Sequence, residues 1–590
     1  MSQRKAARSI PELIDILRRE HELVEISCEV DPYLELAEIH RRVIDRGGPA
    51  LLFTRVKGAD FPVVTNLFGT TRRVDLAFGG RPEKFVREVA ALPHTMVPPS
   101  LGKVWQHRDT LIDLARVGLA RKRFDSSLIV DTPPRLGRLP LLTSWPLDGG
   151  PFITLPLVYT EDPETGMHNL GMYRIQRYDD DTTGLHCQIG KGGGYHLAVA
   201  KARGEPLPVN IIVGGPPALI LSAIAPLPEN VPELLLASLV LGERLPMCDN
   251  PLGALPLVPS AEFTLVGEVM PGEMRAEGPF GDHYGYYSLQ HEYPVFRCKG
   301  LIRRPGAVYP ATVVGKPRQE DYFIGEYLQR LLSPLFPLVM PQVRDLWSYG
   351  ETGFHALASA VVQERYEREA LQSAFRILGE GQLALTKFLL LLDKPTDLKN
   401  FRSVLEAVLA RADFSKDLFI FSNTAMDTLD YTGPRVNHGS KGVLIGCGEP
   451  KRVLPVQYVG TPSRLVRKAR PFCAGCLVVE TESFAANREI AAAIAHEPSF
   501  EEWPLIVVVD DIEASTAGTS TFLWTTFTRF EPAADLYAAH TTTHRHHLSF
   551  TPPIVIDARF KPWYPAVVEC DSVTHELVER RWREYFRKGL

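Results

Sequence analysis

"PLPVNIIVGGPP", Pro206 to Pro217, is a short apolar run rich in Val and Ile, stopped by two glycines and two prolines. A buried strand that must end in a tight turn reads this way. The same grammar recurs on both sides of it, in "PFITLPLVYT" (Pro151–Thr160), "TTGLHCQIGKGGG" (Thr182–Gly194), "AEFTLVGEVMPGE" (Ala261–Glu273) and "YPVFRCKGLI" (Tyr293–Ile302). Short strands at this spacing predict a barrel or sandwich between about Thr132 and Arg304, interrupted by a helix over Val231–Leu241.

Outside this region the pattern changes. The first hundred residues alternate helical and strand-like periods, with Ser9 and Glu12 forming a capping box at the first helix, and they close on the Pro-rich "LPHTMVPPSLGK". The basic segment Arg116–Arg123 then reads as a solvated helix face. Beyond Pro310, helical periods alternate with continuous apolar runs such as "TKFLLLLD" and "PLIVVVDD", the mark of parallel strands buried on both faces. Thr386 onward is echoed from Trp503 onward, with Asp393 and Asp510 ending equivalent strands, so a duplicated strand–helix unit is predicted. The fold expectation is α/β (α+β, multidomain): an N-terminal α/β domain over 1–115, a barrel or sandwich domain over 116–310, and a C-terminal α/β domain over 311–590.

A 590-residue chain with 45% hydrophobic and 23% charged residues is built to bury several cores. Its net charge of −5 offers no electrostatic ground for nucleic-acid binding. The apolar runs at Leu234 and Phe388 are shorter than the roughly 18–20 residues a membrane helix needs. The N-terminus lacks the apolar stretch of a secretion signal, so a cytoplasmic location is expected. Cys473 and Cys476 form the one CxxC among eight cysteines, too few for a four-cysteine zinc site. His540, His544, His546 and His547 cluster in a Thr-rich stretch without acids or cysteines and read as solvated loop or interface.

Chemistry is concentrated in "EGPFGDHYGYY", Glu277–Tyr287, where Glu277 and Asp282 bracket a Gly-Pro-Phe-Gly turn. Two acids at a fixed separation suit acid/base work, and they equally suit a solvated hairpin. "NLGMYR" puts Asn169 and Arg174 at the ends of a strand-like run, and an arginine can grip a carboxylate at two points. "GKGGG", Gly190–Gly194, leads into a helix and offers backbone N–H groups to a phosphate. Ser222 and Glu233 are hard oxygen donors suited to Mn²⁺, Mg²⁺ or K⁺.

Together these motifs resemble the UbiD family of reversible decarboxylases, with "NLGMYR", "PVNIIVGGPPALILSAIAPLPE", "EGPFGDHYGYY", "YPATVVG", "TKFLLLLD" and "GSKG" in the family's order. The likeness spans nearly the whole chain except about Glu449–Phe550, which reads as an insertion carrying the second repeat copy. The resemblance implies a central split β-barrel, prenylated FMN held with Mn²⁺ (or Mg²⁺) and K⁺, a separate flavin prenyltransferase that supplies the cofactor, and a homodimer or larger homo-oligomer. It implies catalytic roles for Arg174, Glu277 and Asp282, with Arg174 orienting the substrate carboxylate and Asp282 delivering the proton. Cofactor contacts are implied for Asn169, Met172, Tyr173, Arg174, Lys191, Ser222, Glu233 and Lys441. Asn169 and Glu233 match metal ligands; Gly190 stands where the family has a histidine, and His186 is the substitute selected. The expected activity is decarboxylation of an aromatic or α,β-unsaturated acid, foremost a hydroxyaromatic intermediate of ubiquinone or menaquinone biosynthesis. A degradative aromatic-acid decarboxylase, a non-catalytic subunit and a flavin reductase are the rivals.

Overall fold

The computed structural model describes residues 5–187, 192–227, 232–459, 463–587 and 589. It forms two compact units, Met1–Leu332 with Val567–Leu590, and Ser333–Ala566.

In the first unit the opening helix, Ile10–Arg19, starts where Ser9 Oγ accepts the Glu12 N–H at 3.3 Å. Glu12 reaches back one residue further than a capping box requires, accepting the Arg8 N–H at 2.8 Å. The helix lays its apolar stripe of Leu13, Ile14, Ile16 and Leu17 into the core. A four-stranded sheet follows in the order Leu23–Ile26, Ala50–Phe53, Val63–Thr65 and Tyr309–Pro310. Its last strand comes from the far end of the central region, so these two parts of the chain share a sheet. The C-terminal helix Ser572–Tyr585 also returns to this unit: Tyr585 donates to Glu35 at 2.5 Å, and Arg42 pairs with Glu579 at 2.6 Å.

The central sheet has nine strands among the described residues, in the order Phe152–Ile153, Ile175–Arg177, Thr182–Leu185, His291–Arg303, Phe263–Glu277, Leu207–Val213, Pro156–Glu161 and His168–Gly171, with Ile129–Asp131 also on His291–Arg303. All of its pairings are antiparallel. No pairing among the described residues closes it into a barrel. The segment Pro206–Pro217 becomes the strand Leu207–Val213 and the start of the helix Pro217–Ala223, as the glycine–proline stop demands. Three local expectations are corrected. Arg116–Arg123 contains a strand, Leu119–Lys122, paired in parallel with Leu245–Cys248, because its apolar positions dock there rather than on a helix face. The run "NLGMYR" breaks after Gly171, leaving residues 172–174 outside any strand. The histidine-rich stretch is a β-hairpin, Leu536–His544 with His547–Asp557.

The second unit carries two five-stranded sheets with one topology. The first runs, in spatial order, Val343–Ser348, Leu357–Val362, Phe388–Leu392, His438–Gly446, Leu418–Ala425. The second runs Lys468–Cys473, Cys476–Glu480, Leu505–Val509, His547–Asp557, Leu536–His544. In each, the three middle strands are parallel and both edge strands antiparallel. The central strands "FLLLL" and "LIVVV" are buried throughout, as the duplicated pattern predicts. The second sheet extends to Asp557, past the Phe550 limit expected for the inserted copy.

Candidate active site

The hairpin that brings the two acids together is shaped by its glycines. Glu277 is the last residue of the strand Phe263–Glu277. Gly278 then takes φ +88°, a conformation in which any side chain would be strained. At Gly281 a Cβ would come within 2.1 Å of the Trp145 ring, so only glycine lets the turn close on that indole. Asp148 pins the turn from the other side, accepting N–H bonds from Ser144, Trp145 and Gly281 at 2.8–2.9 Å. Burial pushes the Asp148 carboxyl up to about 6. Gln176 adds a second pin, accepting the Gly278 N–H at 2.8 Å and donating to Gly149. Neither Asp148 nor Gln176 stands out in the sequence, because each acts on backbone more than a hundred residues away.

Arg174 sits at the centre of this frame. Its Nε and Nη2 donate to the two oxygens of Glu277 at 2.8 and 2.9 Å, the two-point grip a planar guanidinium favours. Nη1 donates to Asp282 at 2.6 Å and Nη2 also to Ser288 at 2.9 Å, while the Phe280 ring lies 5.0 Å from the guanidinium carbon. Glu277 is fully buried, and Arg174 and Asp282 are each 9% exposed. Burial alone would raise the Glu277 pKa, yet Arg174 and His186 outweigh it and hold this acid at about 2. Burial likewise opposes ionisation of Asp282, but His283 and Arg174 together hold it well below the usual carboxylate range. The His283 ring nitrogen Nδ1 lies 2.8 Å from Asp282.

His186 belongs to the same network. Its Nδ1 lies 3.3 Å from Glu277, its Nε2 lies 3.4 Å from the Tyr293 hydroxyl, and the two rings pack with centroids 4.2 Å apart. Burial, then Arg174, lowers its pKa and favours the neutral ring. The expectation of His186 as third metal ligand is therefore corrected: both ring nitrogens already face partners around Glu277.

Asn169 and Glu233 gather elsewhere, around the start of the glycine-led helix. Glu233 accepts the N–H of Leu170 at 3.0 Å, and burial raises its pKa. The helix spans Gly192–Arg203, so Gly192, Gly193 and Gly194 lie in it, while the start of the glycine run falls outside the described residues. A Cβ on Gly192 would lie 2.1 Å from Asn169 Oδ1, and one on Gly193 would press on the Tyr173 ring. Among the described residues the buried side-chain nitrogen of Asn169 has no hydrogen-bond partner, and neither has Nε2 of the neighbouring His168. The first described turn of a helix beside a buried amide and a nearby acid fits a phosphate with its metal ion. No cluster of three His, Cys, Asp or Glu side chains able to hold a metal occurs among the described residues.

The remaining expected contacts are dispersed. Met172 is half-buried beside the buried Tyr173. Ser222 is buried, and its hydroxyl donates to Ala218 O at 2.7 Å within its own helix. Gly190 and Lys191 lie outside the described residues. Lys441 lies in the second unit, where it donates to Thr386 O at 2.9 Å and burial lowers its pKa to about 8.

The chain matches three sequence families in succession. They are the 3-octaprenyl-4-hydroxybenzoate carboxy-lyase N-terminal domain over residues 14–92, its Rift-related domain over 120–317 and its C-terminal domain over 322–446. It is 51% identical over 576 residues to a Chlamydia pneumoniae protein named as a subunit of 4-hydroxybenzoate decarboxylase, covering 97% of each chain. Among solved structures it resembles the closed form of the Sedimentibacter hydroxybenzoicus vanillic acid decarboxylase, with TM-score 0.68 and 23% identity, over 78% of this chain and 97% of that one. It also resembles the UbiD-class enzyme HmfF of Pelotomaculum thermopropionicum in complex with prFMN, with TM-score 0.60 and 22% identity, over 75% and 95%.

Proposed function

Since the chain belongs to the UbiD family of carboxy-lyases, we propose that it catalyses the reversible, non-oxidative decarboxylation of an aromatic or α,β-unsaturated carboxylic acid with prenylated FMN. The observation that carries this reading is Arg174 held between two buried carboxylates, one gripped at two points and one at a single point.

The asymmetry supports a division of roles. Glu277 fixes the guanidinium plane, and the more weakly tethered Asp282 occupies Nη1, the donor a substrate carboxylate would take. Displaced from Arg174, Asp282 loses part of what keeps it ionised, so it gains the capacity to hold the proton that replaces CO₂. His186 and Tyr293 back Glu277 and keep water from its outer face. Prenylated FMN supplies the electron sink that loss of CO₂ requires. Asn169 and Glu233 would hold its phosphate-bound Mn²⁺ or Mg²⁺, with K⁺ near Ser222; Met172, Tyr173 and Lys191 complete the proposed cofactor contacts.

A hydroxybenzoate-type acid is the favoured substrate, supported by the name of the Chlamydia pneumoniae relative, and quinone biosynthesis is the pathway we propose for it. We place the enzyme in the cytoplasm as a homo-oligomer supplied by a flavin prenyltransferase; no helix among the described residues is long and apolar enough to cross a membrane. The test is mass spectrometry of small molecules released from protein co-expressed with such a prenyltransferase, followed by CO₂ release from a panel of hydroxyaromatic acids. Prenylated FMN with turnover supports the reading. Plain FMN or no flavin, with no turnover, overturns it in favour of a non-catalytic subunit.

A further inference from the structure

The two modules of the second unit, residues 343–446 and 468–557, share more than topology: they touch each other reciprocally. In the first module the helix after the central strand, Phe401–Arg411, meets the first strand and turn of the second. Arg402 lies over the Phe472 ring at 4.4 Å, and Glu406 accepts the Ala474 N–H at 3.0 Å. In the second module the helix after the central strand, Thr519–Arg529, meets the corresponding turn of the first, Gly350–Thr352. The two helices meet through Phe401, whose ring lies within 6.2 Å of Phe522 and 5.8 Å of Phe527, and Phe472 of the second module's first strand stacks on Phe522 at 3.6 Å. All four rings are buried.

A second pair of contacts links the same kinds of element in each direction, through residues that are not register-equivalent on the fourth strands. Ser440, on the fourth strand of the first sheet, donates to Glu531 at 3.0 Å and accepts the Ala533 N–H at 2.9 Å, both just ahead of the second module's edge strand. His547, opening the fourth strand of the second sheet, lies 3.2 Å from the carbonyl of Ser415, just ahead of the first module's edge strand. Matching surfaces meeting twice in this way is the geometry of a two-fold, isologous interface.

The second copy keeps this face and loses the first copy's buried charges. Strand register equates Lys387 with Pro504 and Lys441 with Pro553. In the first module Lys387 pairs with Asp430 at 2.8 Å and Lys441 is bonded to Thr386; prolines cannot replace either. The family's C-terminal domain match ends at residue 446, before the second module begins.

We infer that the second module is an internal partner: it covers, within one chain, a face of the first module that is built to associate with a second copy. Copies of this chain therefore associate through other surfaces. Two measurements on the full-length protein test this. With cysteines at Glu406 and Ala474 joined by a short thiol cross-linker, the denatured product should keep the 65.8 kDa single-chain mass, with the link mapped by peptide mass. A covalent dimer would place the second module on a neighbouring chain and overturn the inference. In the Phe522→Asp chain, which opens the aromatic stack, hydrogen exchange at Phe401–Arg411 should quicken, and sedimentation should show a new association whose mass rises toward twice the wild-type species with concentration. Faster exchange with unchanged or lower mass overturns it. If Phe522→Asp does not fold, Phe522→Ala supplies the same pair of readings.

Discussion

Arg174 and Glu277 face each other as a buried two-point ion pair, Nε to Oε1 at 2.8 Å and Nη2 to Oε2 at 2.9 Å, leaving Nη1 for Asp282. Removing either partner leaves the other charged and desolvated, which costs about 3–5 kcal/mol in comparable pairs.

Glu277→Gln keeps the shape and removes the charge that fixes the guanidinium. Turnover of the acid identified by screening should fall on the order of 10²–10³-fold, with far-UV circular dichroism unchanged. Activity within threefold of wild type would remove Glu277 from the mechanism.

Asp282→Asn separates binding from proton delivery. The variant should bind the substrate carboxylate at least as well, because Nη1 of Arg174 no longer holds an anion, while product formation in D₂O and deuterium uptake at the reacting carbon both collapse. Asp282→Glu should restore part of the rate. Normal deuterium uptake by Asp282→Asn would show that another group carries the proton.

Two of the perturbed acids, Glu277 and Asp148, act on stability in opposite pH windows. Glu277 has its folded pKa lowered from 4.5 to about 2, so its contribution is complete above pH 4.5 and is lost as pH falls toward 2. Asp148 has its folded pKa raised from 3.8 to about 6, so its contribution is complete below 3.8 and is lost as pH rises through 6. Urea denaturation across pH should therefore show the rising limb reduced in Glu277→Gln and the falling limb between pH 4 and 6 reduced in Asp148→Asn. Asp148→Asn should also cost about 1–3 kcal/mol, since an amide cannot accept all three N–H bonds.

Gly192→Ala places a methyl 2.1 Å from Asn169 Oδ1. Alanine favours a helix start at least as well as glycine, so the melting temperature should hold. Flavin absorbance of protein purified from cells making the cofactor should be lost. Full flavin content would show that Asn169 does not line the cofactor site.

How much of this is legible in the sequence depends on distance along the chain. Glu277 and Asp282 announce themselves because a Gly-Pro-Phe-Gly turn is a local constraint, and Arg174 through its motif. The duplication is legible because buried parallel strands must be apolar throughout, so "FLLLL" and "LIVVV" repeat visibly. His186 is the counter-example: its place beside the glycine run suggests a metal, whereas Glu277 and Tyr293, about a hundred residues on, claim both ring nitrogens.

By itself the sequence determined the elements and their order: apolar runs punctuated by Gly and Pro, the two alternations of strand and helix, and the acids on one turn. Only the tertiary structure decided which carboxylate grips Arg174 at two points, that Asp148 and Gln176 clamp the turn, and that one module turns its face to the other. Local periodicity is set by hydrogen bonding and burial within a few residues. These pairings depend on side chains and backbone from distant segments meeting in a desolvated interior, where only the assembled fold fixes the partners.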